Sequence, residues 1–460
     1  MQITIIGAGP AGYTAAFEAA KKGLKITLID SSSDLDGSPL PGGVCLNRGC
    51  IPSKTLLHIA KVLSECEALK EHGISFNPPS IDLGSLRTWK NEVVTRLRTG
   101  LKSLIKKYSI EFIHGHARFV SEDQIEILRS GFSAETRIFS KAIIASGSLP
   151  SKIDSLPNSN TNILDSTSAL ELNSIPKRML IIGGGYIGLE LGTIYSALGS
   201  RITLVEMLDQ ILFGVDRDLV RYVSSSLKKK FDKIILGTRI TSVHEVGNFF
   251  KVEITDAKGL SETLEFDAIL TAVGRVPATK ELGLEKACVE TDAKGFIKVD
   301  SDYRTNIKNI FAIGDAIGQP MLMHKAAAEA RTAVANILGK NPNKKSAIPY
   351  VVFTDPEIAW YGITEEKVKK ENISAKICRF SWLASGRAMS MGRTDGLTKI
   401  IADTATEKIL GAGITGVGAG ELISEIVVAM NCGATISDIA SSIHPHPTLS
   451  ETIMEAAELF

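Results

Sequence analysis

The chain has 460 residues, a net charge of +1, 44 % hydrophobic and 22 % charged residues, an ordinary globular composition that is too long for one core and suggests about three domains. Near-neutral charge favours neither nucleic acid nor an acidic membrane surface as partner, and no apolar run reaches the ~18 residues needed to cross a bilayer. Six scattered cysteines do not make a secreted disulfide framework, and a strand begins at once with no basic leader, so the expected compartment is reducing and cytoplasmic.

The first predicted element is a short apolar strand running into Gly7, Gly9 and Gly12, followed by a helix-length run and a second strand that ends at Asp30. The pattern returns without a gap 176 residues later, with Gly183, Gly185 and Gly188 in the loop and Glu206 closing the second strand. In each copy the acid stands 18 residues past the third glycine, the full context of a dinucleotide-binding fingerprint. The first glycine permits a tight turn and the second lets the backbone approach a pyrophosphate. The third allows helix and strand to pack closely, and the helix N-terminus faces the phosphates. Asp30 and Glu206 are placed to accept hydrogen bonds from a ribose 2'-hydroxyl. Two sites suggest one flavin and one nicotinamide. A carboxylate at Glu206 repels a 2'-phosphate, and no Arg or Lys lies between it and Arg217, so NAD is expected over NADP.

Between the two copies, Cys45 and Cys50 flank a four-residue gap ahead of an apparent helix. A disulfide there would stabilise the fold by only roughly 2 kcal/mol, which favours redox chemistry over a structural staple. Two unrelated buried cysteines are the plain alternative. Short basic runs, Lys228–Lys230 and Lys344–Lys345, read as solvated faces. Near the C-terminus a His-Pro-His-Pro turn carries His446, with Glu451 five residues on. An imidazole needs an acceptor on one ring nitrogen if the other is to exchange protons. Alone, such a turn is more often a surface turn or an adventitious metal site.

Taken together, the motifs at 42–54, 144–148, 272–277, 309–315 and 444–451 resemble the pyridine nucleotide-disulfide oxidoreductases, over essentially the whole span from Ile3 to Glu458. The resemblance implies an α/β fold of two Rossmann-like dinucleotide-binding domains, for FAD and NAD, plus a C-terminal α+β dimerisation domain. Its boundaries are an FAD domain at 1–147, an NAD domain at 148–273, a central segment completing the FAD site at 274–345 and an interface domain at 346–460. It further implies a homodimer with no metal.

Residue by residue, the resemblance makes Cys45 the thiol that exchanges with substrate and Cys50 the thiol nearest the flavin. Lys54 lies by the flavin ring with Glu190 as its partner. FAD contacts extend to Ala117, Ser146, Gly147 and Ser148, to Asp315 at the ribityl chain, and to Met321, Leu322, Met323 and His324 along the isoalloxazine. Gly274 joins the NAD site. His446 and Glu451 form the base that serves the thiols, in the family from the opposite subunit. The implied reaction is oxidation of dihydrolipoyl groups by NAD+, the groups being borne on the lipoylated carrier of a 2-oxoacid dehydrogenase or glycine-cleavage type complex.

Two departures stand out. The segment 31–41 is about six residues longer than the family pattern and has loop composition, and Asp30 replaces the more common glutamate. Reduction of another disulfide, such as glutathione disulfide, and a non-catalytic redox-sensing or structural subunit are the competing functions. The tail after Cys432 lacks the second cysteine pair that a mercuric or selenothiol-type reductase needs.

Overall fold

The computed structural model describes every residue except Leu35, Asn158, Ser159 and 341–346. Lys344–Lys345, the expected boundary at 345/346 and one residue of the 31–41 loop therefore lie outside the described residues.

Two parallel five-stranded sheets carry the repeat. Across the first, the strands run Ile310–Ala312, Lys141–Ile144, Gln2–Ile6, Lys25–Asp30 and Glu111–His114. Across the second they run Ile163–Leu164, Ala268–Thr271, Arg178–Ile182, Arg201–Val205 and Lys233–Ile235. The central strands, Gln2–Ile6 and Arg178–Ile182, are covered on both faces, with Ile3, Ile5, Leu180 and Ile181 fully buried; unbroken β-branched and leucine runs are what a doubly covered parallel strand requires. Each sheet is accompanied by an antiparallel three-stranded meander, 116–138 in the first unit and 238–266 in the second. The fifth strand breaks the symmetry. In the second unit it precedes the glycine loop, whereas in the first it arrives from residue 310 onward and pairs beside Lys141–Ile144.

The chain passes between the units through a two-stranded antiparallel ribbon, Ser148–Pro150 on Arg275–Pro277. The last part of the chain forms an antiparallel five-stranded sheet, in the order 350–352, 357–362, 409–416, 397–403 and 375–381. Helices Ala419–Cys432, Ile436–Ala440 and Glu451–Glu458 accompany it, with Trp382, Ile414, Ile426 and Ile453 in the shared core.

Helix Arg217–Lys230 of the second unit is tied to this last domain at both ends. At one end Ser226 Oγ donates to the Asp355 carbonyl (2.6 Å), while Lys230 and Arg393 both pair with the Asp355 carboxylate. At the other, Asp216, Asp218 and Glu365 lie close enough to suggest a metal cluster. The buried Lys399 ammonium sits among them, 2.6 Å from Asp216 and 2.7 Å from Asp218, and Arg379 pairs with Asp218 and Glu365. The cluster is an ion-pair latch.

Candidate active site

The cysteine pair is built directly onto the first glycine loop. Gly42 N–H donates to the Ala8 carbonyl (2.9 Å), and a Cβ on Gly43 would meet Gly9 Cα at 2.6 Å, so only glycine lets the two segments touch. From there helix Gly43–Arg48 carries Cys45, and Cys50 opens helix Cys50–Ala68. Asn47 holds the approach by donating to the carbonyls of Leu40, Pro41 and Gly43. Loop 31–41 folds back on itself through a Ser33–Pro39 bridge, and Arg48 Nη2 donates to the Ser33 carbonyl at 2.8 Å.

Cys45 and Cys50 lie within hydrogen-bond reach of each other. They differ in proton affinity. The hydrogen bond to Cys50, then burial, pushes the Cys45 thiol up. The same bond, supported by the Lys54 charge and opposed by burial, draws Cys50 down. Its place at a helix N-terminus favours the anion too. Of the two, Cys50 is the thiol that ionises first.

One carboxylate organises the wall beside them. Glu190, in helix Tyr186–Ala197, accepts from Lys54 Nζ at 2.7 Å and from Phe353 N–H at 3.1 Å, and Lys54 also lies 4.8 Å from the centre of the Phe353 ring. Glu190 thereby joins the second sheet unit, the cysteine-bearing helix and the C-terminal domain. Two tyrosines close by were not foreseen from the sequence. Burial, then the two thiols, pushes the Tyr13 phenol up to about 12. Tyr186, 38 % exposed, has Arg275, Glu190, Cys50 and Asp315 all near enough to bear on its phenol.

The two glycine loops match in detail. Gly7 and Gly183 have φ of +102° and +110°, and a Cβ on either would strike a carbonyl, Ala145 O at 2.2 Å and Ala272 O at 2.5 Å. Asp30 accepts from Ala8 N–H (2.6 Å) and Ser32 N–H (2.8 Å); Glu206 accepts from Gly184 N–H (2.6 Å) and Leu208 N–H (2.8 Å). Each acid therefore shapes its own loop, a duty beyond the ribose contact expected of it. The residues present fit a dinucleotide at both places. A Cβ on Gly9 would meet nothing nearer than 3.7 Å and one on Gly185 nothing within 4 Å, and neither helix start has a side-chain cap. That leaves main-chain N–H groups facing open space, as a pyrophosphate requires.

Around the first loop, the Ser146 hydroxyl is buried without a partner among the described residues, next to Gly147 at φ +78°. Ser148 Oγ accepts from Arg275 Nε (2.7 Å) and donates to Asp315 (2.5 Å). Behind Asp315, the buried pair Lys325–Glu329 (3.0 Å) holds the turn: Glu329 accepts from Gly314 N–H, and Lys325 donates to the carbonyls of Gly314 and Gly318. Met321 and Leu322 are half-buried, Met323 and His324 are exposed, and His324 Nε2 lies 2.7 Å from the Pro349 carbonyl. Gly274, at φ +110°, accepts from Ser151 N–H. Ala117 is different. Its side chain is buried with Ile29 and Ile127 in the core, so any ligand contact there would have to run through the main chain.

His446 Nδ1 lies 2.8 Å from Glu451 Oε1, and Thr448 N–H donates to the other carboxylate oxygen at 2.7 Å. Those two bonds, Thr448 first, hold the Glu451 carboxyl below its usual range. The imidazole is 79 % exposed, and no hydrogen bond joins it to either thiol among the described residues.

The family model described as "Pyridine nucleotide-disulphide oxidoreductase" matches residues 1–330, and the dimerisation domain of the same name matches 348–457. The chain belongs to the pyridine nucleotide-disulphide oxidoreductases. The family's cofactors are FAD and NAD. A relative from Vibrio parahaemolyticus named dihydrolipoyl dehydrogenase is 43 % identical over all of this chain and 95 % of its own. One of the same name from Thermus scotoductus is 41 % identical over 99 % of this chain and 96 % of its own. Among solved structures, LpdA from Mycobacterium tuberculosis superposes with a TM-score of 0.90 at 25 % identity, covering 100 % of this chain and 99 % of that one. As in the family at large, the chain carries a disulfide oxidoreductase core and a dimerisation domain, and no described helix is long and apolar enough to cross a membrane.

What the sequence missed shares one property. Tyr13, Tyr186, Phe353 and the Lys325–Glu329 pair act through contacts with distant segments. Only the four-residue spacing of Lys325 and Glu329 is a local signal.

Proposed function

We propose that the protein oxidises dihydrolipoyl groups with NAD+, taking the electron pair through Cys45 and Cys50. The observation that carries this is the Cys45 and Cys50 pair seated on the first glycine loop, set against the Lys54–Glu190 ion pair. A scaffold has no need of that arrangement, and the full-length relatives bear the corresponding enzyme name.

The reaction begins with the pair closed as a disulfide. A substrate thiol gives its proton to His446 and attacks Cys45 Sγ; the Cys45–Cys50 bond breaks and Cys50 leaves as a thiolate, stabilised by Lys54. The second substrate thiol then displaces Cys45, its proton passing to the departing Cys45 sulfur; the dithiolane closes, and two electrons remain on the protein as a Cys45 thiol and a Cys50 thiolate. Glu451 keeps the imidazole oriented and stabilises it when protonated. FAD, when bound, supplies the two-electron relay from this pair to the nicotinamide. Residues 1–147 and 274–345 would hold FAD, through Gly7, Gly9, Gly12, Asp30, Ser146 and Asp315. Residues 148–273 would hold NAD, through Gly183, Gly185, Gly188 and Glu206, and 346–460 would pair two chains so that His446 faces the thiols of the partner. The physiological substrate would be the lipoyl arm of a carrier protein in the cytoplasm.

The test is steady-state turnover of the purified, FAD-loaded dimer. Dihydrolipoamide oxidation by NAD+ is expected, with no meaningful reduction of glutathione disulfide. Faster reduction of glutathione disulfide than of lipoamide at equal concentration would refute the substrate.

A further inference from the structure

A second histidine stands two residues before the first. The His444 side chain is 8 % exposed, its Nδ1 lies 3.0 Å from the Ser442 carbonyl and its Nε2 lies 2.9 Å from Glu425 Oε1. A carbonyl oxygen and a carboxylate can only accept, so both ring nitrogens must donate, and an imidazole with two N–H groups is an imidazolium. Burial opposes the charge, but the Ser442 carbonyl and Glu425 outweigh it and the His444 proton affinity is raised.

Its position gives the charge a use. His446 and Glu451 belong to the turn 442–451, which is stapled internally, Thr448 Oγ1 donating to the Pro445 carbonyl (2.7 Å) and Thr448 N–H to Glu451, and is tied at its start to helix Ile436–Ala440, where Ser442 donates to the carbonyls of Asp438 (2.7 Å) and Ile439 (3.1 Å). The His444–Glu425 pair reaches out of that turn to helix Ala419–Cys432 in the body of the domain. The charged groups bearing on His444 are Glu425 from that helix and Glu451 from helix Glu451–Glu458. Asp438, on the helix between, is engaged with Thr435 at its own helix start.

We propose that His444 is a positioning residue for the His446–Glu451 pair, anchoring the catalytic turn to helix Ala419–Cys432 through Glu425 and setting a fixed positive charge beside Glu451. The inference rests on the function proposed above. A positive neighbour favours the ionised Glu451 carboxylate, so the acceptor that orients His446 stays charged to lower pH than it otherwise would.

The experiment compares His444→Gln and Glu425→Gln with the wild type as FAD-loaded dimers. For His444→Gln, kcat/KM for dihydrolipoamide is expected to fall roughly tenfold or more near neutral pH, since small misplacements of a catalytic group are costly. The acidic limb of its pH profile should move up by roughly half a unit or more. NADH oxidation by artificial acceptors should be unchanged. Glu425→Gln should show the same fall in kcat/KM, with a smaller shift of the limb because His444 can still charge. NMR titration of side-chain-labelled glutamate gives a readout that needs no substrate: the Glu451 carboxyl should titrate at higher pH in His444→Gln. If that titration and the limb both stay in place, or if FAD content and acceptor activity fall in parallel with turnover, His444 is a folding contact and the proposal is wrong. A wild type without dihydrolipoamide activity would overturn the function instead, and the NMR shift would still judge His444.

Discussion

Lys54 and Glu190 act on Cys50 with opposite signs, Lys54 favouring its thiolate and Glu190 opposing it. Neutralising them one at a time should therefore move the thiol in opposite directions. A single charge moves a neighbouring group by about 1–3 pH units. Because a third of the Lys54 side chain is in water, the low end applies, about one unit. In Lys54→Met the Cys50 midpoint should rise by that amount, cutting the thiolate fraction about tenfold at a pH below both midpoints. The more basic thiolate is also the better nucleophile, which offsets roughly threefold of this. The net expectation is alkylation at Cys50 slowed about threefold. Glu190→Gln leaves the Lys54 charge unopposed, so Cys50 should alkylate faster by a similar factor. The assay is iodoacetamide labelling of the phosphine-reduced holoenzyme across a pH series. Arg48 lies between the two cysteines, so trypsin puts them on separate peptides for mass spectrometry. Rates moving in the same direction in both variants would refute this electrostatic account, as would alkylation of Cys45 ahead of Cys50 in the wild type.

His446→Gln should slow dihydrolipoamide oxidation by about 10²–10⁴, the usual worth of a positioned base, with NADH oxidation by artificial acceptors intact. A heterodimer of one Cys45→Ser and one His446→Gln subunit should regain one working site of two if the base acts across the dimer, and none would place it within the chain. For cofactor choice, Glu206→Gln should narrow the preference for NAD by removing the repulsion of a 2'-phosphate. It should also weaken NAD itself, since Glu206 holds the main chain of Gly184 and Leu208; an unchanged NADP to NAD ratio of kcat/KM would count against both roles.

The repeat, the two glycine loops, the closing acids and the cysteine spacing were all legible before any fold was known, because each is a demand on local backbone. Gly7 and Gly183 cannot be other residues when a Cβ would sit on a carbonyl oxygen, and that demand is written at the position itself. The His446–Glu451 pair is similarly local, five residues apart at a helix start. The pairing of Lys54 with Glu190 was expected only through family resemblance, since 136 residues separate them. Tertiary structure alone decided which carbonyl and carboxylate hold His444, that Ser148 joins Arg275 to Asp315, and that Lys399 fills the acidic cluster. It also decided which cysteine ionises first. Two thiols at equal intrinsic affinity are separated by their surroundings: chiefly the hydrogen bond each makes with the other, then burial, and for Cys50 the helix start it occupies. Charge and hydrogen bonding act through space, and a pattern along the chain does not record which distant groups folding will bring within reach.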